Sequence, residues 1–523
     1  MLPLGPCVMA GLMGSLQEGL RAGDAAHQIA RVLVACDEDG VRAWLARGMD
    51  PDMKMTGNHT PLTLVITRAT SDRWEAITRL LLEAGASLSC RGPRGTSLLT
   101  MLVKSSSIEL VRLALERGAH YNDCGTSGEW PMMVAMHYRQ LDILKLLLDR
   151  GSDPNRIEKD GNSALMWAAG RSNGLGFQMS LACVRVLLAY GADLNFQNPR
   201  GYTPLLAASI IKEREVVWAL LAAGAFPDTC DAKGETALIK ATDADSLNVV
   251  EELLAKGASV NAVSTAGNTA IMSAVSVEVA AALMRGGADP GMVSQDGTTA
   301  LHQQAIDDRV EVARVLLGHG APLETKDAQG NTPLHAAVRA RSYNVINLLL
   351  EAGADTTTTN HAGTTLSLEA LLPWDYYSTH DIFPALNTPT LMAELTYYVG
   401  TGSIQAEWVL TQLLERGADP GQAGEKEVTP LMLASAAGQE RLMRLLLDAG
   451  ALVDAQDAAG RTALAYACRW GQGGAVEVLL AHHTPVNTLD SQANLPIFYA
   501  AQNAHYPILL SLMVLLAFFM CSS

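Results

Sequence analysis

The chain has 523 residues, too many for one compact core, and its 38 Lys and Arg against 54 Asp and Glu give a formal net charge of −16. It holds no basic run and no interleaving of basic with aromatic residues, so the clustered positive charge that binds a phosphate backbone is missing and a nucleic-acid partner is excluded. The eight cysteines (7, 36, 90, 124, 183, 230, 468 and 521) form no CxxC pair, which predicts reduced thiols and a cytoplasmic setting rather than a disulfide framework.

Residues 1–26 are mildly apolar but lack the basic start of a secretory signal, and read as a poorly ordered N-terminal segment. Ile29 to Cys36 and Val41 to Arg47, closed by Gly48, then read as a degenerate helix pair of the kind that caps a stacked array, with Trp44 and Leu45 in its core.

From there a punctuation recurs at Gly57, Gly95, Gly128, Gly161, Gly201, Gly234, Gly267, Gly297, Gly330, Gly363, Glu427, Gly460 and Ala493. The step is constant, as from Gly297 to Gly330 to Gly363, except that it is longer after Gly57, Gly161 and Gly363 and shorter after Gly267. A second set of glycines (85, 118, 151, 191, 224, 257, 287, 320, 353, 417 and 450) keeps the same phase, while the Gly460 unit carries His482 and His483 where its stop is expected.

The adjacent blocks 297–329 and 330–362 show what each unit is. Thr299 before Ala300, and Thr332 before Pro333, supply a hydroxyl to accept from an orphan amide and a good first helical position. Apolar residues follow at helical spacing around Leu334, Ala337 and Val338, and again from Val345 to Leu350, before Gly353 ends the run. Two helices this short cannot bury their apolar faces alone, so neighbouring units must stack.

The GxTPLHxAA…VxxLLxxGAD pattern resembles the ankyrin repeat, over about fourteen units from about 27 to 517. The resemblance implies an all-α solenoid of helix-turn-helix units with β-turn-like loop tips, in two stretches, 27–371 and 403–517. In the first third the register is less certain: Trp130 replaces a capping Thr, and Ser97-Leu98-Leu99 replaces Thr-Pro-Leu.

Three segments break the pattern. Seven extra residues around Arg171 to Phe177 form a loop between two helices, which loop entropy tolerates. The larger insertion at 372–402 carries Trp374, Tyr376, Tyr377, Phe383, Tyr397 and Tyr398, and reads either as a functional loop or as a helix that plugs the gap it creates. The apolar Ile508–Met520 within the C-terminal helix 508–521 is short for a membrane span and falls where the last unit's second helix should begin, although its apolar outer face leaves a membrane tail, a partner surface or an aberrant chain end open.

Subtracting the repeats leaves no segment long enough for a catalytic domain, and there is no GxxxxGK[ST], GxSxG or HExxH, so no enzymatic activity, cofactor or metal is expected. Members of the family use the TPLH histidines, here His302 and His335, to tie neighbouring units, and hold other proteins by the loop tips and by positions just after the first helix. Carried over, that surface includes His137, Tyr138, Arg171, Asp243, Asp307, Arg339, Arg469 and Trp470. Trp and Arg dominate binding hot spots, so Arg469-Trp470 stands first, against the plain alternative that the ring packs on its neighbours. Trp218 falls at an outer, normally polar position. Two further readings are a membrane-held adaptor and an array hydroxylated at Asn155, Asn195, Asn261 or Asn487, where a turn-stabilising Asn is the simpler account.

Overall fold

In a computed structural model the described residues are 29–522, except 56–58, 69–72, 127, 159, 171–176 and 372–402. The N-terminal segment, Gly57, Arg171 and the long insertion therefore lie outside them. All regular structure among the described residues is helical, with isolated bridges such as Arg91 to Ser97 and Thr359 to Thr365 pinning loops. The chain divides into two compact units, Met1–Ala232 and Lys233–Ser523.

In the first unit residues 29–34 and Glu38–Ala46 form the starting helix pair. Trp44 is buried and Leu45 half-buried. Pairs follow at Pro61–Arg68 with Trp74–Glu83, Leu98–Lys104 with Ile108–Glu116, Pro131–His137 with Leu141–Asp149, Ala164–Gly170 with Phe177–Ala189, and Pro204–Ile210 with Arg214–Ala222. Phe177, expected in a loop, begins its helix, so that helix has 13 residues rather than the nine of Arg214–Ala222. Ser97 caps as a Thr would, accepting from Thr100 N at 3.2 Å, whereas Trp130 makes no capping bond and instead lies under the Arg156 guanidinium at 3.7 Å.

The second unit repeats the plan from Ala237–Asp243 with Leu247–Ala255 to Pro496–Gln502 with Tyr506–Ser522. First helices stack on first helices and second on second. A leucine at one position of the second helix, seen at 253, 283, 316, 349, 413, 446 and 479, is fully buried each time, in the long repeat as in the others. Burying such a side chain contributes roughly 1.5–3 kcal/mol, which a lone helix pair cannot collect on both faces.

The loops are joined as tightly as the helices. Thr265 N donates to Lys233 O at 2.8 Å, Gln295 N to Ala266 O at 2.9 Å, Ala328 N to Asp296 O at 2.8 Å and His361 N to Gln329 O at 2.8 Å, one bond per repeat. The opening glycines make this approach possible. Gly234 has φ +71°, and a Cβ there would sit 2.7 Å from Thr265 N; at Gly330 it would sit 2.6 Å from His361 N. Glu427 (φ 59°) and Ala493 (φ 61°) adopt the same left-handed backbone without glycine, as does His483 (φ 59°) at the stop position.

The two kinds of left-handed glycine should therefore differ in sensitivity. Gly450→Ala, at φ +100° with open space around it, should cost about 1 kcal/mol, the left-handed penalty alone. Gly234→Ala should cost clearly more, because its loop must also retreat. Urea unfolding midpoints of the two variants check the order.

Candidate partner-binding groove

Each first helix is set by a cap that fixes where its far end emerges. Thr299 Oγ1 meets His302 Nδ1 at 2.9 Å while Thr299 N donates to the same Nδ1 at 3.2 Å. That leaves the proton on His302 Nε2, which donates to Asn331 O of the next repeat at 3.0 Å. Thr332 and His335 repeat the capping box, and burial pushes the His335 imidazole down to about 4. His302 ties its unit to the next, as its position implied, whereas the His335 bonds stay within its own repeat and its Nε2 is enclosed without a partner.

Asx turns fix the loops facing these helices. Asp327 Oδ1 accepts from Gln329 N and Asn331 N at 2.9 and 2.8 Å. Asn198 Oδ1 does the same for Arg200 N and Tyr202 N, both at 2.9 Å. Helix ends and loop tips are thus the two rims of a groove.

In the first unit the groove deepens into a cleft of about 340 Å³. Met166, Trp167, Gly170 and Ala207 of two first helices form its floor, and Asp160, Asn162, Asn198, Arg200 and Tyr202 of two loops form its rim. The rim is held in place: Asn198 Nδ2 donates to Asn162 Oδ1 at 2.8 Å, and Asn162 Nδ2 to Asp160 Oδ2 at 2.8 Å. His137, the last residue of its helix, puts its ring 6.3 Å from that of Trp167 and 5.3 Å from that of the exposed Tyr138. Arg171 follows the floor residue Gly170 in sequence but lies outside the described residues.

The other expected positions fall in the second unit. Asp243 is exposed, yet desolvation holds its carboxyl above the usual range, with a Ser273 hydrogen bond opposing. Asp307 accepts from Gln303 Nε2 at 3.0 Å and pairs with Arg309 at 3.0 Å. Arg339 is half-buried near Glu369, a fully enclosed acid whose carboxylate oxygens have no hydrogen-bond partner and which burial raises to about 8. The Arg469 guanidinium lies 5.7 Å from the Trp470 ring, which is half-buried against the core with its Nε1 enclosed and unpartnered. Asp243 and Asp307 flank the same short repeat.

Models describing three tandem ankyrin repeats match residues 68–158, 176–264, 206–289, 268–360 and 403–490. The chain belongs to the ankyrin-repeat family. Over 133 residues it is 32% identical to ankyrin repeat domain-containing protein 63 of Mus musculus and to that of Homo sapiens, covering 25% of this chain and 33% and 34% of those proteins. The alignment thus spans about a third of the length of these curated relatives. Among solved structures, the ankyrin repeat domain of Bcl-3, described as a unique member of the IkappaB protein family, is 27% identical, with 40% of this chain and 95% of that chain covered and a TM-score of 0.35. Ankyrin repeats generally are protein–protein interaction modules, and members of the family are typically non-enzymatic binding scaffolds.

Within this ankyrin array the asparagines considered for hydroxylation connect loops. Asn155 Oδ1 accepts from Asp193 N at 2.6 Å, Asn195 Oδ1 from Phe226 N at 3.0 Å, and Asn261 Oδ1 from Asp289 N at 2.9 Å, while Asn487 is exposed. Trp218 is 46% exposed, at the outer position expected. No helix among the described residues is long and apolar enough to cross a membrane.

Sequence reasoning did not reach the cleft. Asp160 and Arg200 immediately precede opening glycines, and Asn162 and Tyr202 immediately follow them, so the repeat phase already marked these loop positions. It also missed how charge is divided: residues 1–232 hold 23 Lys and Arg against 24 Asp and Glu, whereas 233–523 hold 15 against 30.

Because the folded-state value of His335 lies below its ordinary one, its neutral form supports the fold fully above about pH 6.5. That contribution is lost as pH falls from about 6.5 toward 4, at up to roughly 1.4 kcal/mol per pH unit. His302 shifts in the same direction. Urea midpoints between pH 7 and 4.5 should fall less steeply for His335→Gln than for the unaltered chain.

Proposed function

We propose that this ankyrin array is a non-enzymatic scaffold that recognises partner proteins through its loop tips and the ends of its first helices. The cleft at the Gly161 and Gly201 repeats carries the reading. A rigid hydrogen-bonded rim around an apolar floor containing Trp167 is a surface whose ordering cost is met in folding, before any partner arrives. Tyr138, 47% exposed, and the Arg200 guanidinium beside the cleft supply the aromatic area and planar donors that concentrate binding energy.

Capture from a matched lysate tests it, with helical circular dichroism as the control for folding. Tyr138→Ala with Arg200→Glu should reduce the retained partner at least about tenfold, a loss of roughly 1.4 kcal/mol. Arg469→Ala with Trp470→Ala should also reduce capture but lower stability, since the indole packs on the core. Equal retention by the intact chain and both variants would sink the groove as the binding surface.

One observation favours a second reading, association of the last helix with a lipid surface. Leu510, Met513 and Val514 are 63%, 53% and 69% exposed, while Ile508 and Leu512 hold the helix to the array. No Lys or Arg follows Arg469, so attraction to anionic headgroups would contribute nothing. Flotation with phosphatidylcholine vesicles, abolished by Leu510→Lys with Val514→Glu, would support this reading; absence of flotation by the intact chain would end it.

A further inference from the structure

The Gly267 repeat is three residues short, and the structure shows where they are missing. Thr236, Thr269 and Thr299 start three neighbouring first helices in the same register, but Ala237–Asp243 and Ala300–Ile306 have seven residues and Ala270–Ser273 only four, as a 3-10 turn. The middle element, packed between the other two, stops about 2.5 Å short of them, at roughly 2.0 Å per residue against 1.5 Å in an α-helix. Its exit also differs. Neighbouring repeats reverse through a left-handed residue, Asp245 or Asp308, whereas Ala274 continues with φ −61° and ψ 127°, an extended backbone leading to Ser276.

This leaves a notch in the groove wall. Val275, Val277 and Ile306 are 43%, 37% and 48% exposed around it, and other repeats put Asp245, Asp308 and Arg341 at the position of Val275 and Asp243, Arg339 and Arg469 at that of Ile306. The neighbouring repeat is already adapted to the gap. Gln304 stands where Ala241, Ala337 and Ala467 stand in other repeats; it is fully buried, and its Nε2 donates to Met272 O at 3.4 Å, satisfying a carbonyl the lost turn would have used. Its Oε1 is left without a partner. Asp243 ends the first helix before the gap, and Asp307, paired with Arg309, caps the one after it, in the unit that holds 15 basic against 30 acidic residues.

We propose that this notch docks a basic polypeptide segment, one aliphatic residue flanked by Lys or Arg, with the aliphatic group and the methylene stems against Val275 and Ile306 and the cationic heads toward Asp243 and Asp307. The inference rests on the groove reading above and names the partner chemistry for one part of it. Lys and Arg stems cover apolar surface while the charged head stays hydrated, which is the combination the notch offers. The carboxyl of Asp243, raised by partial desolvation, gains most from a neighbouring cation.

Panning phage-displayed random 12-residue peptides against the full chain tests it. Peptides with an aliphatic residue between Lys or Arg should be enriched, their binding should weaken as salt rises, and Asp243→Asn or Ile306→Lys should reduce it about tenfold. Both side chains are exposed, so the fold should be kept, as circular dichroism can check. Enrichment of acidic or uncharged peptides would overturn the proposal, as would basic peptides that bind both variants unchanged; in either case the groove reading stands if Tyr138→Ala with Arg200→Glu releases them. No enrichment at all would overturn the notch, and the lysate capture then decides the groove independently.

Discussion

Backbone comes close to backbone where one loop meets the next. In most repeats an amide of one loop donates to a carbonyl of its predecessor at about 2.8–3.0 Å, and the opening glycine lies so near the following backbone that a Cβ would overlap it; Pro93 and Pro199 stand at that donor position in two repeats and have no amide hydrogen to give. A hydrogen bond at that position leaves no freedom in register. The caps, the TPLH histidines and the stacked leucines all fall into the phase it sets.

The same constraint explains where the chain tolerates change. Repeats opening at Gly57, Gly161 and Gly363 are longer than the common period, and the Gly267 repeat is shorter. In each case the difference falls between the first and second helix: after Arg68, after Gly170, after Leu371 and after Ser273. Among the described residues that edge carries no backbone-to-backbone bond between repeats, only side-chain bonds such as Ser342 Oγ to Ile306 O and Gln472 Nε2 to Ala436 O, so a change in length there costs mainly local closure entropy, which grows slowly with length. Variation is thereby directed to one rim of the groove, where it alters what the surface presents.

How much of this was legible in sequence follows from which interactions are local. Helix starts at Thr299 and Thr332 were readable because a capping hydroxyl and its amide lie three residues apart, and left-handed stops because glycine marks them. Even Glu427 and Ala493 were placed correctly by phase alone, and both prove left-handed. The cleft was not legible because Trp167 and Arg200 belong to different repeats, a full period apart in the chain, and nothing near either announces the other. Trp470 shows the opposite difficulty: Trp beside Arg at a helix end reads equally as anchor or as packing, and only its enclosed Nε1 and its seat on the core reveal how much of the ring the fold uses. The compensation of Gln304 for residues missing one repeat earlier could not be anticipated without coordinates.

The spacing of partners along the chain also governs assembly during synthesis. Most repeats meet their neighbours a single period away, so a nascent repeat can dock soon after it emerges. The Gly363 repeat differs, since Leu366–Leu371 packs on Ser403–Glu415, which begins only after the whole of 372–402. At the roughly 5–20 residues per second of translation, Leu368 and Leu371 wait seconds longer than their counterparts for the helix that covers them. During that interval an apolar edge of a half-finished array is open to solvent, which makes this the point in synthesis where a chaperone has the most to bind.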